Sequence, residues 1–332
     1  MKKRVVTFGE VMMRLTAEGQ QRFSQAHRYT SFFGGSEANV SVSLSHFGLA
    51  TEHVTRFPDN NLGRAALSML KGHGVHVDHV QLGGERLGLY FLENGAMMRS
   101  PQIIYDRFHS AFSEIKPGSI DWDEVFADAS WFHWTGITPA ISAGAAAVCL
   151  EALKSAKKRG LTISGDINYR RNLWQYGKRA LDVMPEMIGY CHKIVGAAED
   201  FKNCLGIESA TFENGCEAVV KKIPTIEHIA TTQRETISAS HHNLSGQMWS
   251  KAELAQSRVY QLTHIVDRIG GGDAFMAGLI YSWLNEKPDK EAIEFATAAS
   301  ALKHSIEGDV NMVSVSEVVQ VMKGDNPGKL SR

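Results

Sequence analysis

Asp267-Arg268-Ile269-Gly270-Gly271-Gly272-Asp273-Ala274-Phe275 sets three glycines directly before a segment that is apolar nearly all round, Ala274 to Leu284. A helix with that pattern is buried. Its N-terminus offers unpaired backbone N–H groups and the positive end of the helix dipole. Glycines let those groups approach an anion with no Cβ in the way, so the stretch suits a phosphate. Asp273, in the first turn, would stand beside that phosphate and could take a proton from an attacking hydroxyl. A plainer reading makes Gly270 to Gly272 a tight turn and Asp273 a partner for the dipole, and for an isolated G-G-G-D the plainer reading wins. No G-x-x-x-x-G-K-S/T occurs, so a P-loop is not the device.

Working outward, short β-branched runs alternate with segments of helical period: Val5 to Phe8, His53 to Phe57, Trp131 to Thr135, Leu161 to Asp166, His192 to Val195 and Ile226 to Thr231. Ala143 to Arg159 reads as a helix, as does Lys290 to Ile306, whose Ala292, Phe295, Ala296, Ala299 and Leu302 line one face. The alternation predicts an α/β fold, a parallel sheet covered by helices on both faces. Two regions break it. Val11 to Phe33 and Leu87 to Tyr105 read as antiparallel strands, the second turning at Glu93-Asn94-Gly95. They predict a small separate sheet, inserted at about 11–33 and 87–107 as a lid on one domain spanning 1–323, with 324–332 a loose tail.

Composition narrows the function. Lys and Arg number 35 against 36 Asp and Glu, so no basic field exists for nucleic acid or anionic lipid. Apolar stretches fall short of the roughly 18 residues of a bilayer span, and Met1-Lys2-Lys3-Arg4 runs straight into a strand with no signal peptide, which points to the cytoplasm. A small-molecule partner fits best. Cys149, Cys191, Cys204 and Cys216 are far apart and read as buried thiols, and His241-His242 reads as a solvated turn.

Asp267 to Asp273 resembles the C-terminal signature of PfkB/ribokinase-type carbohydrate kinases: an Asp, two spacers, a glycine-rich triplet and the catalytic Asp. Gly34-Gly35-Ser36-Glu37-Ala38-Asn39-Val40, followed by a helix to His46 and Gly48, resembles the family's N-terminal signature, which contacts the sugar. Taken by itself it is a glycine turn with Ser36 capping a helix, and both readings share one geometry. Between these signatures lie further similar segments, Phe8-Gly9-Glu10 with Arg14-Leu15, Tyr105-Asp106-Arg107, Gly136-Ile137-Thr138-Pro139-Ala140, Asp166-Ile167-Asn168-Tyr169-Arg170 and Glu307-Gly308-Asp309. Their details are most similar to the 2-keto-3-deoxygluconate kinases within the family.

The resemblance implies a ribokinase-like core with a β lid, and transfer of the γ-phosphoryl group of Mg-ATP to the terminal hydroxyl of a sugar acid. Asp273 is then the base and Gly270, Gly271 and Gly272 the anion cradle. Gly34, Gly35, Asn39, Tyr90, Tyr105, Arg107 and Asp309 would touch the sugar acid, and Asn168 with Arg170 would border both substrates. Arg107 and Arg170 suit a carboxylate because a guanidinium binds one bidentately. Thr232 and Arg234 resemble a second phosphate-facing loop, although Arg234 reads equally well as an exposed hairpin charge. Where the family places N-x-x-E, this chain has Gly196-Ala197-Ala198-Glu199-Asp200. Asp200 or Glu199 would then act on magnesium only through water. A monovalent cation and a homodimer formed through the lid stay open, as do two other functions: a kinase for fructose, ribose or an isomeric keto-deoxy sugar acid, and a non-catalytic sugar-acid sensor suggested by Ala197.

Overall fold

The structure is a computed structural model that describes residues 4–324. Nine strands form the central sheet, in the order Glu253–Gln256, His241–Ser250, His228–Ser238, Lys193–Val195, Thr162–Asp166, Ala129–Thr135, Arg4–Phe8 and Thr51–Val54, with Tyr260–Leu262 also paired to His241–Ser250. From Thr51–Val54 across to His228–Ser238 the pairing is parallel, and the three remaining strands add an antiparallel wing. Parallel strands buried on both faces need apolar residues at odd and even positions alike. Phe132 and Trp134 pack into one core with helices Ala143–Lys158, Ala180–Ile188 and Ala198–Leu205, while Trp131 faces the opposite core with Ser36–His46, Gly271–Leu284 and Asp289–Lys303. The Gly271–Leu284 helix lies tight against Asp289–Lys303, because a Cβ on Gly278 would come within 2.6 Å of Ala296 Cα.

The second sheet has four strands, ordered Tyr29–Gly34, Met12–Ala17, Gly88–Glu93 and Gln102–Asp106. Each insertion is an antiparallel pair, as expected, and a parallel pairing of Met12–Ala17 with Gly88–Glu93 joins the two.

Several local expectations change. The second lid hairpin does not turn tightly at Asn94-Gly95: its return strand begins at Gln102, after a loop closed by an Ala96 to Arg99 bridge. His53 to Phe57 is two elements, since Arg56–Phe57 leaves the main sheet to pair with Gln81–Leu82. His242 is not in a solvated turn. The turn falls earlier, at Ala239-Ser240, and His242 is wholly buried in a strand, which drives its pKa down to about 4. Arg234 keeps its hairpin reading, as an exposed residue of the His228–Ser238 strand opposite Leu244 in the hairpin with His241–Ser250. All four cysteines are buried free thiols. The expected tail from 325 lies outside the described residues, and Gly324, at φ 76°, caps the last helix. Among the described residues no helix is long and apolar enough to cross a membrane.

Candidate active site

A cleft of about 520 Å³ opens where the lid faces the C-terminal ends of the parallel strands, the usual place for ligands in such sheets. It gathers Gly34, Gly35, Asn39, Tyr90, Tyr105, Arg107, Asn168, Arg170, Asp200, Thr232, Arg234, Gly270, Gly272, Asp273 and Asp309 from segments far apart in sequence. Glu199 is not among them. It is exposed on the Ala198–Leu205 helix and accepts the Asn203 amide at 2.7 Å.

Asp273 stands in the first turn of the Gly271–Leu284 helix, clamped from the N-terminal signature. Ser36 Oγ donates to its Oδ1 at 2.6 Å and Asn39 Nδ2 to its Oδ2 at 2.7 Å. This corrects the role expected of Ser36. Gly35 occupies the cap position of Ser36–His46 without a side-chain cap bond, and the Ser36 hydroxyl is spent on Asp273. Withdrawal from water raises the Asp273 pKa, the two hydrogen bonds lower it, and the nearby Asp309 charge raises it again.

The three glycines are not equivalent. Gly270 has φ 80° and a Cβ there would overlap the Asp309 carbonyl oxygen, so the chain conformation itself requires glycine. A Cβ on Gly271 would come within 2.6 Å of the His304 ring. A Cβ on Gly272 would meet nothing within 4 Å beyond its own helix turn, so its bare backbone faces open cleft. The first intrahelical bond here runs from Ala274 N–H to Gly270 carbonyl at 2.9 Å, which leaves the earlier N–H groups for a ligand.

Arg107 Nε donates to Glu10 Oε2 at 2.9 Å and Nη2 reaches the same oxygen, while Ser110 Oγ holds Oε1 at 2.5 Å. Both charged groups are buried. Nη1 has no protein partner among the described residues. The guanidinium lies 5.8 Å from the Tyr105 ring centre, and the Tyr90 and Tyr105 rings are 5.8 Å apart. Asp309 accepts the Tyr90 hydroxyl on Oδ1, while its Oδ2 lies 3.3 Å from Arg14 Nε as an ion pair and takes part in no hydrogen bond among the described residues. Gly34 is bare because a Cβ would strike Asp309.

On the strand-end side, Asn168 adopts φ 42°, a conformation asparagine tolerates better than most residues, and its amide donates to Asp166 Oδ2 at 3.2 Å. Burial, with Asp200 and Asp273 nearby, pushes Asp166 up to about 8. Asp200 accepts the Tyr169 N–H at 2.9 Å and the Ala197 N–H at 2.8 Å. Arg170 is exposed at the mouth and donates to the Tyr169 carbonyl at 3.0 Å. Among the described residues no three acidic, His or Cys side chains group as a metal site.

Sequence reasoning missed Asp166, Glu37, Arg268 and Arg14. Glu37, fully buried, accepts Thr135 N–H, Thr135 Oγ1 and Thr138 Oγ1, and desolvation lifts it to about 7. Arg14 grips Asp267 with Nη2 at 2.6 Å and Nη1 at 3.3 Å. A faint signal existed, since Met12, Arg14 and Thr16 share one face of a strand whose other members are apolar.

The family model for pfkB family carbohydrate kinases matches residues 2–314. A 2-dehydro-3-deoxygluconokinase from Thermotoga maritima superposes with a TM-score of 0.93 at 37% identity, covering 97% of this chain and 100% of that one. A PfkB family carbohydrate kinase from Listeria grayi gives 0.92 at 36% identity, with 97% and 100% covered. A 2-dehydro-3-deoxygalactonokinase from Haloferax volcanii is 29% identical over 325 residues, 98% of each chain.

Proposed function

The chain belongs to the pfkB family of carbohydrate kinases, and from that premise we propose that it transfers the γ-phosphoryl group of ATP to the terminal hydroxyl of 2-keto-3-deoxygluconate. The observation that carries the reading is the clamped Asp273 at the head of an open helix N-terminus. Ser36 and Asn39 fix both carboxylate oxygens, so the group that receives the hydroxyl proton has no freedom to turn away. Gly272 and the neighbouring N–H groups meet the charge that builds on the transferred phosphoryl. Thr232, Arg234 and Arg268 line the nucleotide side, and Arg268 and Arg234 have no carboxylate partner among the described residues. Across the cleft, Glu10 pre-orients Arg107 so that Nη1 is free for a substrate carboxylate, between Tyr90 and Tyr105. Gly34, Gly35 and Asp309 floor the sugar side, and Asn168 with Arg170 spans both.

Mg²⁺, which usually leans on phosphates and keeps several waters, would supply charge neutralisation here. The residues fit it. Asp166, held near 8 by burial and two carboxylates, would be relieved by a cation, whereas Asp200 is already occupied by two backbone N–H groups. In this reading 1–323 works as one unit in the cytoplasm, with 11–33 and 87–107 as the lid, and pairs into a homodimer through it.

The C4 epimer of the substrate is a second reading, favoured by the galactono-type relative. Initial rates with both epimers, 5-keto-2-deoxygluconate, fructose and ribose separate the readings. The gluconate form should give the largest kcat/KM and neutral sugars very little, because they leave Arg107 Nη1, the one guanidinium nitrogen that Glu10 does not engage, without an acceptor. A preference for fructose or ribose would refute the sugar-acid reading, and ATP turnover unmoved by any sugar would leave a sensor.

A further inference from the structure

Lys303 ends the Asp289–Lys303 helix, is wholly buried, and has no part in the chemistry above. A buried ammonium is costly unless partnered, so its surroundings matter. Its Nζ donates to the Ile306 carbonyl at 2.9 Å, and the Asp267 and Asp309 carboxylates act on it from beyond ion-pair distance. Burial draws its pKa below the ordinary lysine value while those carboxylates push it back up. It sits directly under the glycine triplet, since a Cβ on Gly270 would lie 3.3 Å from Lys303 Cε.

Four buried charged groups lie beneath the triplet: Asp267 and Asp309, each paired with Arg14, and Lys303, which is within ion-pair distance of neither carboxylate and acts on them through the buried space around Gly270. They balance only while Lys303 carries its proton. Asp267 also accepts the Ile269 and Gly308 N–H groups, each at 3.0 Å, and His304 carbonyl accepts Val266 N–H at 2.8 Å. The quartet therefore laces the chain before the glycines to the chain around Gly308, and that lacing sets where the cradle N–H groups point. Without the ammonium, an unbalanced carboxylate would lie under the place where a phosphate must dock.

We propose that the Lys303 ammonium is a built-in monovalent cation, a positioning residue that neutralises Asp267 and Asp309 and shapes the glycine cradle, so that turnover needs no added alkali-metal ion. An ammonium group resembles a potassium ion in size and charge, and tethering it to a helix end removes any dependence on salt. The helix C-terminus adds a favourable dipole. The inference rests on the kinase reading above.

The test begins with the wild-type protein in tetramethylammonium salts, titrated with KCl, NaCl or NH₄Cl. Rates should change by less than about twofold, and a severalfold rise with K⁺ overturns the proposal. Lys303→Ala should lose about 10- to 100-fold in kcat/KM and recover with K⁺ or NH₄⁺, which fill the vacated space. Lys303→Met should lose as much and not recover, because the thioether fills that space without charge. Equal behaviour of the two variants overturns the proposal, and the wild-type titration decides even where neither variant folds. Calorimetric Mg-ATP binding with and without K⁺ reads the same dependence without a sugar. Flat ATP affinity with no sugar turnover would therefore condemn the substrate reading alone.

Discussion

Asp273 was legible from its place after three glycines, but its two holders were not, because Ser36 and Asn39 arrive from more than two hundred residues away and a hydroxyl at a helix start reads first as a cap. Their geometry gives two expectations. Asp273→Asn should keep the fold and ATP binding, since the side chain keeps its shape and the Asn39 amide can turn to accept, yet kcat should fall about 10²- to 10⁴-fold. Near-normal turnover in that variant would remove Asp273 from the mechanism. The second concerns pH. The base works when ionised, burial raises its pKa, and the hydrogen bonds from Ser36 and Asn39 oppose that rise. Activity should therefore fall on the acid side at a pH above the ordinary carboxylate range. Asn39→Ala removes one stabiliser of the charged form and should move that limb to still higher pH. A kcat/KM profile whose acid limb stays put or moves down would show that another group controls it. Arg107 was readable as a carboxylate binder from its guanidinium fork and the family resemblance, but its partner Glu10, 97 residues away just past the first strand, was invisible to sequence spacing.

At the scale of elements, the Gly271–Leu284 helix was readable because no amphipathic side competed, whereas the lid loop after Glu93 and the strand holding His242 were not. Glu-Asn-Gly promises a tight turn, but pairing across the lid begins only at Gln102. Two adjacent histidines promise solvent, but the long hairpin buries the second. What sequence could not rank was the three glycines, and their surroundings now separate them. Gly272→Ala adds a methyl to open cleft at an exposed helix start, so the melting temperature should barely change while the KM for ATP rises and kcat drops at least tenfold, about 1.4 kcal/mol. Gly270→Ala should instead fail in the fold. It needs φ 80° and collides with the Asp309 carbonyl, a combination worth several kcal/mol. Thermal melts beside ATP kinetics check both. An unstable Gly272→Ala with normal ATP kinetics would mean that glycine there serves the chain and not the phosphate.

At the scale of the molecule, the parallel core was legible from alternation alone, and two features were not: the antiparallel wing, in which the long His241–Ser250 strand carries the short Glu253–Gln256 and Tyr260–Leu262, and the parallel seam joining the two lid insertions. The seam joins segments more than seventy residues apart that no local period records, whereas the wing pairs consecutive strands through turns at Ala239-Ser240 and Lys251-Ala252. The seam makes the lid one continuous sheet with Gln102–Asp106 as an open edge. That edge is unusually apolar. Ile103 is 40% exposed, Ile104 54% and Tyr105 47%, with Phe108 just beyond and Met97 and Met98 in the loop before it. Ile103 and Tyr105 line the cleft, so by strand alternation Ile104 turns to the other face, where the core offers it nothing. Natural proteins seldom leave such an edge bare, and cover or charge it. A second lid from an identical chain supplies the cover by symmetry. Sedimentation should accordingly give twice the 36.6 kDa chain mass, and Ile104→Lys, which charges the edge without touching the cleft, should shift the protein towards the single-chain mass. A wild-type protein that sediments as one chain at micromolar concentration would mean that the lid edge is capped some other way, and the homodimer would have to be given up.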